Sequence, residues 1–162
     1  FWTVLLWFVP KGIDELATRL GLEHFSHPGQ FASATALFAA ASMLGLWSGW
    51  TMSRFGRGTP LPTATASQLV IQGPYRYVRN PMALAGIMQG LAVGWGMGSP
   101  LVVLYALIGA AAWHVAVRPR EERDLHERFG DSYESYQSRA RLWVPRLQPL
   151  PSDPDASNTR TS

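Results

Sequence analysis

Gly73-Pro74-Tyr75-Arg76-Tyr77-Val78-Arg79-Asn80-Pro81 separates a stretch rich in Gly, Pro and Thr from an apolar run that begins at Met82. These residues are polar, aromatic and basic. Pro74 and Pro81 restrict the backbone at both ends, and Pro81 suits the first turn of a following helix. A fixed backbone beside an apolar helix is what a site needs if it holds a polar ligand against an apolar one. The segment therefore reads as a junction between water and lipid, and the fold follows from what flanks it.

Upstream, Phe31 to Trp50 carries no charge, and a helix needs roughly 20 such residues to cross a bilayer. Trp47 and Trp50 lie near its end, where aromatic side chains favour the interface. Within the loop 53–81, the part 53–72 cannot span, because it contains Gly56-x-Gly58 followed by Thr59-Pro60-Leu61-Pro62. Glycines there permit close backbone approach to a ligand, although a lone G-x-G on its own reads more readily as a plain loop. Phe1–Val9 is apolar and reads as the end of a longer span. His24 and His27 form an H-x-x-H pair in a polar connection with no third ligand nearby, so an interfacial loop is expected rather than a metal site.

Downstream, 82–98 and 101–117 form two apolar spans joined at Ser99-Pro100, a helical hairpin. Gly86, Gly90, Gly94 and Gly98 recur every fourth residue and fall on one stripe. Such a stripe lets a second helix approach closely. His114 lies near the end of the second span, where an ionisable group is a functional candidate. Pro119-Arg120-Glu121-Glu122 reads as the start of a new helix, with proline first and acids in the first turn. That helix covers 119–141 with an interruption at Gly130, and carries Tyr133 and Tyr136. The tail 148–162 is rich in Pro, Ser and Asp and is expected to be disordered.

Charged residues make up only 15% of the chain and apolar residues 47%, against about 25% charged in a soluble domain. Cysteine is absent, which excludes disulfides and thiolate metal sites. Every basic residue but Lys11 is Arg, and the arginines flank apolar spans rather than forming a solvated basic face. That argues against nucleic acid as a partner. Arginine bias in 53–80 and 118–146 puts both on the cytoplasmic side, opposite the acidic 11–30 connection. The expected protein is an all-α, multi-pass bundle in a lipid bilayer, with one domain over 1–147 and a short cytosolic C-terminal helix. Gly56, Tyr75, Arg79, Glu121 and Glu122 then share one membrane face.

Gly73-Pro74-Tyr75-x-x-x-Arg79-Asn80-Pro81, the hairpin, and Glu121-Glu122-x-x-Leu125-x-x-x-Phe129-Gly130-x-x-Tyr133-x-x-Tyr136 together resemble the isoprenylcysteine carboxyl methyltransferase family. That group of integral-membrane enzymes also includes phospholipid N-methyltransferases. The resemblance covers 54–145, and Gly56-x-Gly58-Thr59-Pro60-x-Pro62 looks like the bacterial branch, which implies a bacterial inner membrane. It implies S-adenosylmethionine (SAM) as cofactor, bound at the cytosolic face. By position, Gln68, Leu69, Val70, Tyr75, Arg79, Asn80, Pro81 and Met82 would line the cofactor pocket, and Glu121 would face the methionine end. The phospholipid branch adds Gly56, Gly58 and Glu122. The catalytic candidates are Arg118 towards a substrate carboxylate, with Glu121 and His114 for proton movement.

The chain departs from that family at three positions. It has Asn80 where the family often has His, Ala83 where a Tyr is frequent, and Val117 where prenylcysteine enzymes carry Arg. Asn keeps a donor and an acceptor but does not titrate. The implied activity is methyl transfer to a lipophilic or amphiphilic acceptor of the prenylcysteine type, or to a phospholipid amine. Two other classes share parts of this pattern: an NADPH-dependent membrane reductase and a non-catalytic membrane module. The pattern is silent on oligomeric state.

Overall fold

The computed structural model describes residues 2–56 and 68–151, and all regular structure among them is helical. The helices are α1 (Val9–Arg19), α2 (Gln30–Phe55), α3 (Pro81–Met97), α4 (Pro100–Ala112) and α5 (Arg118–Arg139), with a 3-10 turn at Gly73–Arg76. The all-α class expected from the sequence is what is found. Contacts divide the chain into two compact units. One comprises Phe1–Met43 and Ala85–Arg118, the other Leu44–Leu84 and Pro119–Ser162.

Two helices are long and apolar enough to cross a membrane, Gln30–Phe55 and the run Pro100–Arg139. Only 17% and 11% of their most apolar windows is buried. Met43, Leu46, Trp50, Leu107, Ile108 and Val115 are exposed, apolar surface that water would not tolerate in such quantity and that lipid covers. α3, with 17 residues, is at the short end of the spanning range.

In the first unit, helix ends and helix approaches are both set by glycine. Gly21 (φ +70°) and Gly98 (φ +66°) terminate α1 and α3 in the left-handed conformation. Each ends in the same pair of bonds: Leu22 N–H to Ala17 O with Gly21 N–H to Thr18 O, and Ser99 N–H to Gly94 O with Gly98 N–H to Trp95 O. This double bond set satisfies carbonyls that the helix leaves open. The glycine stripe packs inside the chain. A Cβ at Gly90 would lie 3.2 Å from Ala106 Cβ, and one at Gly94 only 2.7 Å from Val103 N. Trp95 Nε1 donates to Ser33 Oγ (2.9 Å) and Gln89 Nε2 to Ser42 Oγ (2.9 Å), fixing α3 against the first half of α2.

Three boundaries differ from the sequence reading. α2 continues past Trp50 to Phe55, and ends where Gly56 N–H reaches Met52 O. No new helix begins at Pro119. The turn Trp113–Val117 widens so that Arg118 N–H bonds Trp113 O, five residues back. A proline ring collides with the carbonyl four residues before it, and the wider turn removes that collision while the helix runs on. Val4–Phe8 widens in the same way ahead of Pro10, with Val9 N–H on Val4 O. Finally, order reaches past Gln148, because Leu150 (5% exposed) is held in a core with Ile71, Tyr133, Tyr136 and Ala140. α5 breaks at Gly130, whose backbone (φ 47°, ψ −126°) is not helical.

Candidate functional site

The second unit holds the quoted motif, and its geometry begins with Gly73. Its φ of +52° suits glycine, and a Cβ there would sit 2.6 Å from Thr51 Oγ1 and 3.1 Å from Trp47 Nε1. The motif thus lies against the end of α2. The 3-10 turn that follows buries Pro74 and Tyr75. The main-chain oxygen of Tyr75 accepts a 2.7 Å bond from the Tyr136 hydroxyl, tying the motif to the last part of α5.

Asn80 caps α3. Its Oδ1 accepts from Ala83 N–H (3.0 Å), satisfying one open donor of the first turn. That bond fixes the amide orientation, so Nδ2 points away from the helix and donates to Glu121 Oε2 (3.2 Å). One residue earlier, Arg79 Nη2 lies 3.2 Å from Glu122 Oε1. Two adjacent motif residues therefore engage two adjacent acids, Arg79 with Glu122 and Asn80 with Glu121. Arg79 is well buried, with its side chain 12% exposed. Its Nε has no acceptor among the described residues.

Glu121 follows the apolar part of the Pro100–Arg139 run and lies outside it. Burial pushes its carboxyl above the ordinary value, the Asn80 bond opposes this, and the Glu122 charge adds a smaller rise. Among the described residues no cation forms an ion pair with it. Burial and the Glu121 charge raise the Tyr75 phenol well above its usual range. Tyr136 is raised likewise, mainly by burial. Both phenols thus stay protonated, and that of Tyr136 donates to the Tyr75 main chain. A partly desolvated carboxylate with one neutral donor and no cation is a good seat for a positively charged group. The residues present fit the cationic methionine end of SAM.

Of the remaining sequence candidates, Gly56 is buried at the end of α2, and Val70 is buried while Leu69 packs on the Ile71 core. Gln68 and Met82 are half-buried and Pro81 is fully buried. Gly58 lies outside the described residues. His114 and Arg118 belong to the first unit, His114 within the widened turn. An open cleft of about 420 Å³ borders α5 and is lined by Pro119, Glu122, Arg123, His126, Glu127 and Gln137. It shares Glu122 with the acid pair but none of Tyr75, Arg79, Asn80 or Glu121. Sequence reasoning did not find the role of Tyr136, whose partner is a main-chain oxygen that no side-chain pattern reveals.

The model of the phospholipid methyltransferase family matches residues 30–132. The match includes the quoted motif, both acids and Gly130, and stops before Tyr133 and Tyr136. No curated protein matches the chain.

Proposed function

The chain belongs to the phospholipid methyltransferase family, a membrane methyltransferase, and on that premise we propose that it transfers a methyl group from SAM to a lipophilic or amphiphilic acceptor. The cofactor supplies an electrophilic methyl on a sulfonium, and the protein aligns the partners and excludes water. Glu121 binds the cationic end of the cofactor, and Asn80 holds that carboxylate in place. Arg79 keeps Glu122 paired, so that one of the two acids remains available. The protonated Tyr75 phenol offers a hydrogen-bond donor to the cofactor. Gly56 suits close backbone approach, while Gln68, Leu69, Val70, Pro81 and Met82 line the pocket.

The acceptor reading carried by the motifs is a carboxylate of the isoprenylcysteine type, with Arg118 as its charge partner. Such an acceptor needs no base. The family match favours a second reading, a phospholipid amine, which must lose a proton, a role that falls to Glu121 or His114 by their chemistry. In this reading the protein is multi-pass, with the cofactor site on the cytoplasmic side, as the arginine bias of 53–80 and 118–146 supports, and the bacterial-type sequence that starts at Gly56 favours a bacterial inner membrane.

The observation that carries the proposal is the register of Arg79 and Asn80 on Glu122 and Glu121. The test is calorimetric SAM binding by the detergent-purified chain, with NADPH as competitor. Saturable binding that NADPH leaves unchanged is expected. Glu121→Gln should weaken it about ten- to a hundredfold, the range of one charge-assisted bond. A folded protein that binds no SAM overturns the proposal. Labelled methyl transfer to farnesylcysteine or to phosphatidylethanolamine vesicles then separates the two acceptors.

A further inference from the structure

Beyond the stretch matched by the family, residues 141–150 run back along the motif in the opposite direction. Arg79 N–H donates to Arg141 O (2.9 Å), Arg146 N–H to Tyr77 O (2.9 Å) and Leu150 N–H to Arg76 O (3.0 Å). Arg76 Nε returns a bond to Leu150 O (2.5 Å), and Arg146 Nη1 bonds Arg139 O (2.6 Å). The Leu150 side chain closes the far end, buried against Ile71, Tyr133, Tyr136 and Ala140. Pro145 and Leu147 between these ties are exposed. The segment is therefore fastened to the motif at intervals and anchored once.

We infer that 141–150 is a strap that positions Arg79 and Asn80 for the two acids, and that Leu150 is the positioning residue that anchors it. The motif between the 3-10 turn and α3 belongs to no regular element, so its main-chain groups need partners from elsewhere. Arg141 and Arg146 supply them at residues 79 and 77, and Leu150 ties the end of the 3-10 turn at residue 76. Tyr136 adds the bond at Tyr75 from the same core that receives Leu150. Side chains that hold a ligand lose most of their effect when displaced by about 1 Å. The strap thus acts on the site through the backbone of the motif.

The inference rests on the SAM reading only for its affinity arm, so the experiment has two arms on the full chain. Amide hydrogen exchange is measured without ligand, and SAM affinity by calorimetry, for wild type, Leu150→Ala and Leu150→Met. In Leu150→Ala, exchange is expected to rise about tenfold at Arg79 and at Ala83, whose amide bonds the Asn80 side chain. SAM affinity should fall at least tenfold at temperatures where the helices are intact. Leu150→Met, which refills the pocket, should restore both to within about threefold of wild type. A rise in exchange confined to 141–151, or unchanged affinity in Leu150→Ala, overturns the strap's role. If wild type binds no SAM, the cofactor reading fails and the exchange at Arg79 and Ala83 still decides this one.

Discussion

The two units solve the problem of holding chain segments together in different ways. In the first, α3 meets its neighbours over glycine and alanine: Gly90 on Ala106, Gly94 on Val103, Gly96 on Ala34. Its buried apolar residues include Ala17, Ala34, Ala41, Ala85, Ala92 and Ala106. In the second, Tyr75, Tyr133 and Tyr136 are buried, and bonds from Asn80, Arg79 and Tyr136 join segments distant in sequence. Helices surrounded by lipid gain little by hiding apolar surface, so they gain by close van der Waals approach, which small residues permit. An irregular segment at the edge of the membrane has open main-chain groups, so donors and acceptors hold it instead.

The sharpest way to break this contrast is to place a methyl group in the α3–α4 contact. The Cβ of Gly94→Ala would meet Val103 N at 2.7 Å and Val103 Cα at 3.0 Å. These are backbone atoms and cannot rotate away. Separating the helices should cost about 3 kcal/mol, the upper part of the overpacking range, read as a lowered unfolding midpoint in detergent. A variant as stable as wild type would show that the close approach does not hold the first unit.

The matching change in the second unit removes a single oxygen. Tyr136→Phe keeps the ring in its core but leaves the buried Tyr75 carbonyl without the 2.7 Å donor. An orphaned buried acceptor costs about 2 kcal/mol. The loss should appear as reduced stability together with faster amide exchange along Gly73–Arg76. An unchanged exchange pattern would mean that the hydroxyl does not tie the motif to α5.

What was legible in the sequence follows the same division. α2, α3 and α4 were readable because uncharged length reports lipid directly, and Gly130 because a helix seldom keeps a glycine in a polar stretch without breaking. The continuity through Pro119 was not readable. Its remedy is a widened turn, a backbone response with no residue type of its own. The pairing of Arg79 and Asn80 with the acids was visible only as two motifs far apart in sequence, and their register needed coordinates. Leu150 was hidden by Pro149 and Pro151 in a tail whose composition reads as disordered. One apolar side chain and three main-chain bonds outweighed that composition.

A smaller effect tests the electrostatic side of the second unit. The Glu121 carboxyl is raised from 4.5, mainly by burial, so the folded chain holds this proton more tightly than the unfolded chain does. Its contribution to stability is full below the unfolded value and is lost as pH rises through the folded one. Glu121→Gln removes that loss. Without ligand, the variant should match wild type below about pH 4.5 and exceed it near neutrality by less than about 1 kcal/mol, since solvent screens a half-exposed group. Unfolding midpoints across that pH range check the sign. A variant less stable than wild type at neutral pH would mean that a cation within the protein already serves Glu121.

The smallest expected effect comes from a glycine in the first unit that performs no packing. Gly109 lies in α4, is exposed, and a Cβ there meets nothing within 4 Å. Gly109→Ala removes backbone freedom from the unfolded chain and improves helix propensity, so stability should rise by up to about 0.5 kcal/mol, below the full difference seen in water. Gly94 and Gly109 are both glycines inside uncharged helices, and sequence alone gives them the same weight. Opposite signs for the two substitutions, measured under one set of detergent conditions, would attribute the stability of the first unit to particular close contacts. A loss at Gly109 comparable to that at Gly94 would instead point to a contact made outside the chain, with lipid or with a second copy, on the exposed face of α4.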